Sequence, residues 1–121
     1  MLDNTMKRYR QADIRKIKEF QKIFSSRLSM IRAIFGPNAF QLPASRGSRY
    51  SRPLFDALMI AIDRQWDNAS RLKSRRSRLR SNLASLLARE KTYAIIIGRP
   101  NTAKALRRRI SLVEKAFRSV L

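Results

Sequence analysis

The sequence predicts an all-α bundle of about four main helices with one long loop, residues 36–52, that contains Pro, Ser and Gly. Three observations predict this class. Apolar residues recur at steps of three and four over long segments, Gly and Pro separate those segments, and hydrophobic residues make up 44% of the chain, which is ordinary for a globular protein. The length of 121 residues suits one domain. We therefore expect a basic N-terminal arm over residues 1–11 and a single helical domain over residues 12–121.

The first helix is predicted over residues 12–35, and Gly36-Pro37 ends it because Gly takes the left-handed position and Pro cannot continue a helix. Its apolar positions, three or four residues apart, are Ile14, Ile17, Phe20, Phe24, Leu28, Ile31 and Ile34. In the loop that follows, Phe40, Leu42 and Tyr50 are expected to hold the chain against the core.

The second helix is predicted to start at Ser51, which is a suitable N-cap, with Pro53 in its first turn. Its apolar residues are Leu54, Phe55, Leu58, Met59, Ala61, Ile62 and Trp66. They occupy most of the helix circumference, so we expect this helix to be the central one. The phenylalanines expected in the core are Phe20, Phe24, Phe35, Phe55 and Phe117.

The third helix is predicted from about Arg71 to Glu90. Residues 91–98 are compatible both with a short strand, because four of them (Thr92 and Ile95–Ile97) are β-branched, and with a helical turn, because no partner strand is visible. Thr102 is the expected cap of the last helix. The apolar seam of that helix consists of Leu106, Ile110, Val113, Phe117 and Val120.

The charge of the chain favours a polyanionic partner. Lys and Arg number 28 and Asp and Glu number 8, so the formal charge is +20. Such an excess destabilises a compact chain by self-repulsion and attracts polyanions, of which nucleic acid is the commonest in cells; an anionic membrane and an acidic protein are the next candidates. No apolar run approaches the length that spans a bilayer, and the N-terminus lacks the apolar centre of a secretory signal. We therefore expect no membrane association and a cytoplasmic location, on the nucleoid if DNA is bound.

The segment Arg71–Arg80 holds six cations and no acid. On a continuous helix, Arg71, Arg75 and Arg78 share one stripe, where like charges repel. Arg outnumbers Lys here, which suits bidentate binding of phosphate in DNA or RNA. The predicted phosphate contacts are Arg71, Lys73, Arg75, Arg76, Arg78, Arg80, Arg107, Arg108, Arg109, Arg46, Arg49 and Arg52. The alternatives are a solvated face or a face that docks on an acidic protein.

Catalytic chemistry finds little support in the sequence. Without Cys or His, the chain lacks thiolate and imidazole metal ligands, Cys nucleophiles and the usual general base of hydrolases. Asp56 and Asp63 share one side of a helix, but a metal-bridging pair usually has further acids nearby. We expect no enzyme activity, no cofactor and no metal.

Three segments in order resemble a known family. Phe20–Gln41, "FQKIFSSRLSMIRAIFGPNAFQ", carries a long helix that ends in a Phe-Gly turn before an Ala-Phe pair. Ser51–Ile62, "SRPLFDALMIAI", opens a helix with Leu-Phe-acid-Ala, and Arg99–Phe117, "RPNTAKALRRRISLVEKAF", carries a capping Thr before an Arg-Ile pair. This order resembles the C-terminal helical region of ParB-like nuclease/NTPase proteins of modification-dependent restriction and phage-defence systems.

The resemblance implies a helical module that acts beside a larger catalytic partner carrying a ParB-like or other effector domain. The Asp-Gly-Gln-Gln-Arg type motif of the family's catalytic domain does not occur in this sequence, and Pro53 stands where a Lys is common. We therefore expect a non-catalytic, nucleic-acid-binding subunit of a bacterial phage-defence or restriction assembly. The alternative is a protein-interaction or antitoxin-like regulatory subunit that docks on an acidic partner chain.

Overall fold

The structure, a computed structural model, describes the backbone of residues 2–98 and 102–121 and the side chains of residues 11–98 and 102–121. The described residues form six α-helices, two short 3-10 turns and no strand, so the all-α prediction is confirmed, whereas the prediction of four main helices is too low. The helices are α1 (Leu2–Phe35), α2 (Arg52–Arg64), α3 (Ala69–Ser74), α4 (Arg76–Ala88), α5 (Glu90–Ile97) and α6 (Ala103–Arg118).

Like α6, which packs against α2, α4 and α5, helix α2 is a central element of the bundle. It packs against α1, α5 and α6. Five of its side chains are buried, namely Leu54, Ala57, Leu58, Ala61 and Ile62. Ser51 caps the helix by accepting a hydrogen bond from the Leu54 amide (3.3 Å), and Pro53 lies in the first turn. Both predicted features of this N-terminus are therefore confirmed.

Helix α1 is buried over only part of its length. Its backbone is helical from Leu2, so it includes residues 2–11 that were expected to form an arm. Near its C-terminus, Ile31 and Ile34 are fully buried. Toward its N-terminus, the same apolar period is largely exposed, and Phe20, which was predicted to lie in the core, is 67% exposed. Because no other described element covers that half of α1, an apolar period there does not produce a buried face.

The loop between α1 and α2 is attached to the core at two of the three predicted residues. Leu42 is buried, and the Phe40 ring lies edge-on to Phe55 with 4.6 Å between ring centroids. Tyr50 is 57% exposed, so its side chain lies outside the core, with its ring 6.4 Å from that of Phe55. Instead, Tyr50 pairs with Gln41 in an isolated antiparallel bridge that closes the loop.

The segment that was predicted to form the third helix forms two helices, α3 and α4. Helix α3 ends at Ser74, and α4 starts at Arg76 because Arg75 has ψ of 24° rather than a helical value of about −42°. The Ser74 hydroxyl donates to the Arg71 carbonyl (2.8 Å), which is the local competition with helical bonding that bends helices at serine. Helix α5 covers most of residues 91–98, so this segment is helical and not a strand.

The last helix, α6, is capped by Thr102, whose hydroxyl accepts a hydrogen bond from the Ala105 amide (3.2 Å). The predicted seam is buried toward its C-terminal end, at Val113, Phe117 and Val120, whereas Leu106 is 38% exposed. The predicted seam is therefore buried mainly along the second half of the helix, and α6 as a whole packs against α2, α4 and α5.

Candidate nucleic-acid interface

Four cations of the segment Arg71–Arg80 face solvent without a partner in the described part of the chain. They are Arg71, Lys73, Arg76 and Arg78, which we call the solvent-facing set. The buried leucines on either side of the helix break, Leu72 and Leu79, fix this segment to the core. Because both helices are anchored in this way, the four charged side chains are held on the protein surface within eight residues of sequence.

The other two arginines of this segment bind main-chain carbonyl groups. Arg80 Nε donates to the Ile34 carbonyl in the last turn of α1 (2.5 Å). Arg75 Nη1 donates to the carbonyls of Val120 and Leu121 just beyond α6 (2.5 and 3.0 Å). A helix C-terminus exposes unpaired carbonyls with partial negative charge, so a guanidinium there satisfies hydrogen bonds and receives favourable electrostatic energy.

The predicted stripe of Arg71, Arg75 and Arg78 is therefore wrong as a single row of like charges. The helix break at Arg75 separates the two neighbours, and the Arg75 guanidinium contacts the C-terminal carbonyls instead of lying free beside them. The repulsion expected in this segment is reduced by that contact.

One groove of about 560 Å³ is lined by Tyr50, Tyr93 and the three loop arginines, which are Arg46, Arg49 and Arg52. Arg46 caps α4, because its Nε donates to the Leu87 carbonyl (3.3 Å) and its Nη2 donates to the Ala88 carbonyl (3.1 Å). Its guanidinium also lies 4.2 Å from the centroid of the Tyr93 ring. Arg46 thus forms one wall of the groove while its guanidinium is bonded to the end of α4.

The remaining two loop arginines differ in their contacts. Arg52 pairs with Asp56 (3.2 Å) but remains exposed, and Arg49 is exposed without a partner among the described side chains. Arg49 and Arg52 therefore present positive charge at the mouth of the groove, beside the exposed ring of Tyr50.

The arginines of α6 divide in the same way. Arg107 and Arg108 are exposed, whereas Arg109 is only 3% exposed. Arg109 Nη2 donates to the Gly98 carbonyl at the end of α5 (2.7 Å), and its Nε has no hydrogen-bond partner among the described residues. Arg109 therefore belongs to the interior and is removed from the surface that a phosphate can reach.

A pattern in the sequence marks the position of Arg109. Arg109, Val113, Ala116 and Val120 are spaced four, three and four residues apart, and Val113 and Val120 belong to the predicted apolar seam. All four are buried. The residue type predicts a surface position for Arg109, whereas its helical spacing from Val113 and Val120 indicates the core side.

Each of the two aspartates considered as a catalytic pair forms an ion pair with an arginine. Asp56 contacts Arg52, and Asp63 accepts a hydrogen bond from Arg27 Nε (3.0 Å). Arg27 also lies 3.9 Å from the centroid of the Trp66 ring. Over residues 11–98 and 102–121, no three side chains among His, Cys, Asp and Glu are grouped as a metal site would require.

Comparisons of the chain with protein-family models, curated proteins and solved structures found no match. In the part of the chain that the structure describes, no helix has the length and apolar character needed to cross a bilayer.

Proposed function

We propose that this protein is a non-catalytic nucleic-acid-binding subunit that holds the phosphate backbone of DNA or RNA through its solvent-facing set. The observation that carries the proposal is the arrangement of Arg71, Lys73, Arg76 and Arg78. They lie within eight residues of sequence, all exposed, with no carboxylate partner among the described side chains.

The energetic reason is that no carboxylate among the described side chains neutralises the solvent-facing set. The three ion pairs of the described side chains engage Arg27, Arg52 and Arg64, none of which belongs to this set. Phosphate groups release condensed counterions when cations neutralise them, so such a set gains affinity for a polynucleotide without any change in the protein. Guanidinium groups add bidentate hydrogen bonds to phosphate oxygens.

A second contact is supported by the other exposed arginines. Arg107 and Arg108 on α6, and Arg49 and Arg52 at the loop groove, extend the positive surface beyond α4. Arg76 begins α4 and Arg46 of the loop groove caps its other end, and the 13 residues of the helix span about 20 Å at a rise of 1.5 Å per residue. This separation suits a strand that crosses the body rather than a single phosphate group.

The resemblance to helical regions of ParB-like nuclease/NTPase proteins adds the setting to the proposal. In that setting the protein serves a bacterial phage-defence or restriction assembly in the cytoplasm, or on the nucleoid if it binds DNA. It would act beside a larger catalytic partner that carries a ParB-like or other effector domain.

The test measures fluorescence anisotropy of labelled duplex DNA and single-stranded RNA over a series of salt concentrations. In the test variant, the four residues of the solvent-facing set are replaced by Gln. For duplex DNA we expect the slope of log affinity against log salt to fall by about 0.9 for each phosphate that the variant no longer neutralises, irrespective of base sequence.

The matched control removes four other exposed cations, by Gln substitution of Arg15, Lys16, Lys18 and Lys22 on α1. Both variants lose the same net charge, so we expect a clearly smaller effect from the control. Equal losses of affinity in the two variants would show that only net charge acts. Unchanged affinity in the test variant would instead favour an antitoxin-like or regulatory subunit whose basic faces dock on an acidic protein.

A further inference from the structure

The N-terminal half of α1 exposes a contiguous apolar surface. Five large apolar side chains lie on it three, four or one residues apart, and we call them the apolar stripe: Ile14 (51% exposed), Ile17 (56%), Phe20 (67%), Ile23 (47%) and Phe24 (38%). The same helix continues into the core at Ile31 and Ile34, both fully buried. Half of one amphipathic face is thus covered by the bundle and half is open.

Such a surface is unusual for a protein that works alone. Single exposed apolar side chains are common, whereas contiguous apolar patches mark sites of interaction. The polar side of the same segment carries Arg15, Lys18 and Lys22, so the helix has the two-sided character of one that docks by its apolar face.

The apolar stripe is continuous with aromatic side chains of the bundle. Phe20 stacks near Phe24 (6.4 Å between centroids), and Phe24 lies 6.2 Å from Phe55 at the start of α2. Phe55 in turn lies 6.4 Å from the exposed ring of Tyr50. A partner seated on α1 therefore also meets an aromatic row on the body, which fixes where along the helix it sits.

The charges around the apolar stripe decide which partner fits. On the helix surface, Lys16 lies one turn before Phe20 and in line with Ile23, and Lys18 lies one turn after Ile14. The two lysines therefore lie on opposite sides of the central row of the stripe, formed by Ile17, Phe20 and Phe24. At the aromatic end, Arg49 and Arg52 are exposed beside Tyr50 and Phe55. The carboxylates of this segment are Asp13 and Glu19, against the four cations Arg15, Lys16, Lys18 and Lys22.

We propose that the apolar stripe docks an amphipathic helix of a partner protein whose apolar face is bordered by carboxylates. Such a helix covers the exposed side chains and places acids opposite Lys16 and Lys18. A second copy of this chain is disfavoured because it brings the same cations, and the same net charge of +20, to the interface. The inference rests on α1 and is independent of nucleic-acid binding by the solvent-facing set.

The test uses a fluorescein-labelled synthetic peptide of three heptads with Leu on one face and Glu at the bordering positions. We expect the intact protein to bind it, and to bind a peptide with Lys in place of Glu at least about tenfold more weakly. The double variant Ile17→Ser with Phe20→Ser is expected to weaken binding of the acidic peptide by about tenfold or more. Both replaced side chains are more than half exposed, so circular dichroism and thermal unfolding should remain unchanged.

The matched control replaces two exposed residues on the polar side of the same helix, Gln11→Ala with Ser29→Ala, and we expect it to bind the acidic peptide like the intact protein. Light scattering of the intact protein should give the mass of a monomer. Nucleic-acid affinity of the stripe variant should equal that of the intact protein, which separates this inference from the proposed function.

Four results would overturn the inference. The first is failure of the acidic peptide to bind, and the second is equal binding of the acidic and basic peptides. The third is a dimer that the double variant converts to monomer, because the occupant would then be a second copy. The fourth is stripe-dependent binding to anionic vesicles without peptide binding, because the occupant would then be a lipid surface.

Discussion

Arg76 and Arg80 are one turn apart on α4, yet their guanidinium groups meet different environments. Arg80 binds the Ile34 carbonyl at the end of α1, whereas Arg76 is exposed without a partner in the described residues. The same difference separates two groups of arginines among the described side chains. Four of them cap helix ends: Arg46 at α4, Arg75 at α6, Arg80 at α1 and Arg109 at α5.

The comparison shows that part of the missing negative charge is internal. Carboxylates are few in this chain, but each helix ends in carbonyl groups that carry partial negative charge. Arginine reaches these groups from distant segments because its side chain is long and carries five donors. A positive sequence can therefore stabilise its own helices with the same residues that suggest a polyanionic ligand, and the cations without any such contact keep all their donors for one.

The largest expected difference between the two groups is at Arg109. Replacement of Arg109 by Ala removes a buried side chain and its hydrogen bond to Gly98, so the free energy of unfolding should fall by about 3 kcal/mol. Urea denaturation measures this decrease. The control Arg109→Met keeps most of the volume and removes the unpartnered Nε, so its effect should stay below about 1.5 kcal/mol. A decrease under about 0.5 kcal/mol for Arg109→Ala would contradict its structural role.

A smaller loss of stability is expected at Arg80, whose exposed side chain caps the C-terminus of α1. Arg80→Gln should lower the free energy of unfolding by about 1–2 kcal/mol, because the Ile34 carbonyl loses a charged donor. The matched control is Arg78→Gln, two residues away on the same helix and without a partner among the described side chains. If both variants unfold at the same urea concentration, the distinction between capping and free arginines fails.

The smallest effect on stability is expected from the free arginines themselves. The double variant Arg76→Gln with Arg78→Gln should change the free energy of unfolding by no more than about 0.5 kcal/mol. At low salt the change should be toward greater stability, because the variant lowers the excess positive charge of a chain with a formal charge of +20, and it should vanish as salt screens that repulsion. Thermal unfolding at two salt concentrations tests this, and a decrease above about 1 kcal/mol would assign these residues to the fold.

Much of the secondary structure could be predicted from local pattern. Ser51 and Thr102 cap their helices as expected, since a cap depends only on the residue and the three that follow it. The helix break at Arg75 was missed because no Gly or Pro marks it. Of the candidate site, the exposure of Arg71, Lys73, Arg76 and Arg78 agrees with the surface position predicted from the sequence, whereas the burial of Arg109 does not.

The sequence by itself determined the helical periods, the excess of positive charge and the leucines that anchor the arginine-rich segment. Only the tertiary structure decided which arginines meet carbonyl groups and which half of α1 is covered. The physical reason is that a helical period fixes the face on which a residue lies, but not whether a distant segment packs over that face. Arg80 and Ile34 are 46 residues apart, and a contact over that distance depends on how the helices pack.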